Sequence, residues 1–132
     1  MTRLVTTMAA ILALGAVLGA HHSYTAFDRT RTVTITGTVE QVHFANPHVV
    51  LRLRVDSAEP VTVSWNSLSQ LAYAGVTARM INVGDQLTVT GSPALDPARH
   101  EITLIRKVED RASGWWWEAN QVFRSSESGK QD

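Results

Sequence analysis

From residue 33 the chain alternates with period two. Val33, Ile35 and Val39 are interleaved with Thr32, Thr34, Thr36 and Thr38, the pattern of a strand with one buried face. Gly37 interrupts it, as at a bulge or sharp bend. Past Glu40 the apolar residues change parity to Val42 and Phe44, a shift that a bulge near Glu40–Gln41 produces. Asn46–Pro47 is a turn signal. A second strand follows, with Val49, Leu51, Leu53 and Val55 inward and Arg52, Arg54 and Asp56 outward. Ser57 to Pro60 is the next turn, and a third strand carries Val61, Val63 and Trp65 on one face. The period then becomes helical, with Leu68, Leu71, Ala72 and Gly75 on one face, Asn66 or Ser67 as the cap and Gly75 as the stop. Val83-Gly84-Asp85 turns into a fourth strand, Gln86 to Thr90. Ser92 to Arg99, with Pro93 and Pro97, reads as a loop before a fifth strand from Glu101 to Val108.

Three strands, a short helix and two strands is the element order of a five-stranded OB-like barrel. A long bent first strand suits it, because that strand must curve into both halves of the barrel. The alternative is a generic small β-barrel or sandwich decorated by a helix. Either way the predicted fold class is all-β.

The residues before this pattern form a different kind of segment. Arg3 is the only charge in residues 1–20, an apolar run extends from Met8 to Leu18, and Gly19-Ala20 is a small-residue exit. That is the layout of a cleaved signal peptide, and a spanning helix would need about 20 apolar residues. The expectation is a periplasmic or secreted protein with no transmembrane span after cleavage. The chain then divides into a signal peptide at 1–20, the barrel at 21–110 and a tryptophan-containing extension and polar, disordered tail at 111–132. The absence of cysteine rules out disulfides, thiolate ligands and a lipid anchor on a cysteine at the cut. Losing Arg3 with the leader from the 12 basic residues leaves 11 against 12 acidic ones. With no basic excess, nucleic acid is not an expected partner.

Several short motifs occur in a fixed order: His21-His22-Ser23 with Phe27-Asp28, Thr36-Gly37-Thr38-Val39, Asn46-Pro47-His48, and Val83-Gly84-Asp85 through Gly91. In this order they resemble a family of small exported bacterial proteins that form a domain of unknown function. The resemblance runs over about residues 20–108. It implies an exported, OB-like domain and supplies no activity.

Chemistry must therefore come from the residues. Four of the five histidines lie in two of these motifs. If Phe44 to Pro47 is the whole hairpin loop, His43 and His48 face each other with Cβ atoms about 5 Å apart. Both have the parity that points away from the apolar side, and two imidazoles so placed can share Zn or Cu. Cleavage after Ala20 makes His21 the first residue. Cleavage after Gly19 makes His22 the third, a position suited to square-planar Cu(II) or Ni(II). Asp28 can add an oxygen ligand or orient a histidine. The plainer reading is that these histidines are solvated and the Asn-Pro turn is structural, with Asn46 bonding its own backbone.

Trp115, Trp116 and Trp117 offer a second idea. Trp115 and Trp117 share one face of a strand and Trp116 the other. Either they form a docking patch for a protein, a sugar or a membrane surface, or two of them close the barrel and one is half exposed. No G-x-S-x-G elbow surrounds Ser23, Ser64 or Ser67, no glycine-rich phosphate loop is present, and nothing pairs Asp28 with Glu40. An enzyme is not expected. A small metalloenzyme would need an open coordination position. The two functional expectations are a transition-metal binder using His21, His22, His43, His48 and Asp28, and a non-catalytic module that binds a periplasmic protein or a glycan through the barrel face or the tryptophan segment.

Overall fold

The fold was described from a computed structural model covering residues 24–56, 58–120 and 124–125. The period-two segments form the strands β1 (Val33–His43), β2 (Val50–Arg54) and β3 (Val61–Ser64). After the helix α1 (Leu68–Tyr73) come β4 (Gln86–Pro93), β5 (Glu101–Asp110), β6 (Trp115–Glu118) and β7 (Arg124–Ser125). The sheet order is β3-β2-β1-β4-β5-β6-β7, and an added parallel pairing of β3 with β5 closes the first five strands into a barrel. The long first strand serves both halves: Val33–Thr38 pair with β4 and Thr38–His43 with β2.

The parity shift has the cause the pattern implied. The β1–β2 register slips between Val39 and Gln41, leaving Glu40 at a bulge. Its carboxylate lies 3.7 Å from Arg52 and 3.4 Å from Arg54 on the exposed face of β2. Gly37 is not the bulge. It lies tight against the Arg54 end of β2, since a Cβ there would lie 2.8 Å from the Arg54 carbonyl oxygen.

The helix starts where its cap was expected. Ser67 accepts from the Gln70 backbone N–H while the Gln70 side chain accepts from the Ser67 N–H, a reciprocal box that satisfies two orphan donors. Leu71 is fully buried and Leu68 packs on the core, but Ala72 is exposed. The helix has only 6 residues, so the chain beyond it places Val76 and Ile81 inward instead. β4 runs through Pro93, three residues further than Thr90. Pro93 can end a strand because its missing N–H is not needed there.

The sheet also continues past residue 110. Asp110 Oδ1 accepts from the Ala112 and Ser113 backbone N–H, and its Oδ2 accepts from Ser113 Oγ at 2.6 Å. This turn returns the chain along β5 as β6. Trp115 and Trp117 then point inward and are buried, and Trp116 points outward and is half-buried. Trp117 meets Trp65 edge to face with ring centroids 5.2 Å apart, and Trp115 Nε1 donates to the Met80 carbonyl at 3.1 Å. The core thus joins both barrel walls, the helix and β6 without disulfides. Trp117→Ala should cost about 3–5 kcal/mol in chemical denaturation, and Trp116→Ala far less; equal losses would contradict this division of roles.

Candidate binding cleft at the barrel seam

β3 and β5 pair in a parallel ladder at only two positions, Thr62 with Glu101 and Val63 with Ile102. β5 then leaves β3 because its next residues bulge. Thr103 pairs with Ser92 and Lys107 with Thr90, so Leu104, Ile105 and Arg106 oppose the single residue Gly91. Leu104 adopts a φ of 47° at the bend. A glycine is required opposite, since a Cβ at Gly91 would lie 2.7 Å from the Thr103 carbonyl oxygen and 2.8 Å from Ile105 Cδ1.

A cleft of about 300 Å³ opens where the strands part. Trp65, Phe27 and Tyr24 give it aromatic walls; His48, Asn66, Gln70 and Arg106 give it polar ones. Phe27 is held by a backbone bridge to Ala94 and covered by the Arg99 guanidinium, 5.6 Å from its ring centre. Trp65 is buried and shared with the core, and its indole Nε1 has no hydrogen-bond partner among the described residues. Asn46 Oδ1 accepts from the Leu68 backbone N–H at 3.2 Å. It therefore ties the first hairpin loop to α1 rather than to its own turn, and sets His48 at the cleft.

The predicted site residues separate. His43 pairs with Val50, not His48, because the loop holds six residues instead of four. Of the predicted site residues that are described, only His48 borders the cleft. Asp28 turns to its own loop: its Oδ1 accepts from the Thr30 hydroxyl at 2.6 Å and the Thr30 N–H at 3.0 Å. The Thr30 hydroxyl bond, opposed by partial desolvation and helped by the backbone bonds and Arg31, holds the Asp28 carboxyl below its ordinary range. His21 and His22 lie outside the described residues. Among the described residues no three His, Asp or Glu side chains cluster as for a metal ion, and no helix is long and apolar enough to cross a membrane. Sequence reading missed Tyr24, Phe27, Trp65, Asn66, Gln70, Arg106 and Gly91 as site residues. Of these Phe27 and Gly91 carried a signal, as members of the ordered motifs.

Strand order, the helix between β3 and β4 and the seam cleft together define a small OB-type barrel. More narrowly, the chain belongs to DUF6152, a family of unknown function, which matches residues 9–103. No curated protein matches the chain. The matched stretch ends at Thr103, so the bulge and β6 lie beyond it.

Gly91→Ala should cost about 1–3 kcal/mol, the usual penalty of overpacking, and should move the amide resonances of Leu104–Arg106. Unchanged stability and spectra would show that the bulge does not need this glycine.

Proposed function

We propose that the chain is an exported, non-catalytic binding domain whose ligand is a sugar unit held in the seam cleft. The observation that carries this is the lining itself. The buried aromatics Trp65 and Phe27 stand beside amide, imidazole and hydroxyl groups of Asn66, His48 and the exposed Tyr24 that have no side-chain hydrogen bond among the described residues. Apolar ring faces with a few convergent polar groups are how small-ligand clefts work. OB-type barrels bind oligosaccharides, which supports the reading by analogy of fold alone. Export rests on Arg3, the apolar run to Leu18 and the Gly19-Ala20 exit. Burial of Trp115 and Trp117 leaves Trp116 as the sole member of that trio with a substantial outward face, so the cleft is the better site. Isothermal titration with mono- and disaccharides should give millimolar or tighter binding that weakens in Asn66→Ala at unchanged melting temperature. No heat with any sugar, or no effect of the substitution, would contradict the proposal.

A second reading, a copper or zinc site, keeps one supporting observation. Tyr24 and His48 border the same cleft, and His22 precedes Tyr24 by two residues. The start expected after cleavage is thus close in sequence to a residue that lines the cleft beside His48. His43 has no place in such a site. Copper titration of the processed protein should then weaken in His48→Ala and stay unchanged in His43→Ala. Equal affinity in both variants would contradict a shared site.

A further inference from the structure

The open valences of the cleft are unevenly distributed. Arg106 is exposed and makes no ion pair among the described residues. The Gln70 side-chain oxygen is taken by Ser67, which leaves its amide N–H₂ to donate. The Asn66 amide and the Tyr24 hydroxyl add further donors.

Acceptors of full charge are missing. Among the described residues that line the cleft, none carries a carboxylate. Glu101, which bonds the lining residue Ser64, has both oxygens engaged: Oε1 accepts from Ser64 Oγ at 3.1 Å, and Oε2 accepts from Arg99 Nη2 at 2.8 Å. The other cation nearby in β5, Lys107, points to the opposite face and is paired with Glu109 at 2.8 Å. Among the described residues Arg106 is therefore the lone cation lining a donor-rich cleft with aromatic walls.

We propose that the ligand of this cleft carries a carboxylate on a ring, with Arg106 as the carboxylate-binding residue and Trp65, Phe27 and Tyr24 as the ring's walls. The inference rests on the cleft reading above and narrows it to an acidic ligand. A planar guanidinium presents two parallel N–H groups that match a carboxylate. A neutral ring would leave that fork unused. The Arg106 backbone carbonyl is fixed by the Ala119 N–H at 2.8 Å, so β6 holds the bulge from which the side chain projects.

The experiment uses three probes on the whole protein: galacturonate, galactose and benzoate. Each is titrated against the wild type, Arg106→Gln and the remote control Arg111→Gln, with calorimetry for affinity and the Trp65 indole N–H resonance for location. Galacturonate should bind about tenfold tighter than galactose, the ratio that one charge-assisted contact gives. That advantage should shrink with added salt, vanish in Arg106→Gln and persist in Arg111→Gln. Benzoate as tight as galacturonate would keep the carboxylate and point to an aromatic acid as its source. Equal binding of galactose and galacturonate, unaffected by Arg106→Gln, would overturn the acidic ligand and leave the cleft as a neutral-sugar site. No shift of the Trp65 resonance with any probe would overturn the cleft itself. Arg106 is exposed, so an unchanged melting temperature in the variant confirms that binding alone is being read.

Discussion

The packing of three residues of β5 against one glycine of β4 is the constraint from which the site follows. Leu104, Ile105 and Arg106 occupy the ladder space of Gly91 alone, and backbone and side-chain atoms of β5 fill the volume a Cβ would need. The bulge turns β5 away from β3 after a parallel ladder of only two residue pairs. Such a short parallel ladder is weak by itself. Thr103 Oγ1 donating to the Ser64 carbonyl at 3.2 Å and Ser64 Oγ donating to Glu101 reinforce it at the point of divergence. The cleft is thus the geometric result of closing a barrel with a bent last strand, and does not depend on an inserted loop.

The same bend explains why the cleft has a firm wall. Trp65 stands at the end of β3, where it lines the cleft on one side and meets Trp117 in the core on the other. Its orientation is set by packing before any ligand arrives, which lowers the ordering cost of binding. Asn46, by bonding the start of α1, anchors the opposite rim. The Asn46-Pro47-His48 motif and the Phe27-Asp28 segment, far apart in sequence, meet on the same opening: His48 and Phe27 line it, while Asp28 stays in its own turn.

What was legible in the sequence was local. Alternation marked β1, β2 and β3, the parity change marked the bulge near Glu40–Gln41, and the Asn66-Ser67 pair marked the helix start, which Ser67 caps. What was not legible depended on closure. His43 and His48 looked like opposite partners because a four-residue loop is the simplest hairpin, and register is decided by the β2–β3 ladder that extends to Val49 instead, with the Val49 N–H donating to the Asn66 carbonyl. The tryptophans were correctly split by parity, yet that β6 joins the barrel sheet depends on the Asp110 turn, whose meaning is visible only when β5 is in place. Arg106 sits in a stretch that reads as ordinary alternation, and its exposure beside the seam arises from the bulge.

The central claim is that ligand enters at the seam and not on the outer face of the sheet. Amide chemical-shift mapping of the protein with galacturonate tests it most directly. The account expects the largest changes at Trp65, Asn66, Gln70 and Leu104–Arg106, with Thr34, Thr36, Thr88 and Trp116 unmoved. Changes centred on Trp116 and these threonines, with the seam silent, would contradict it.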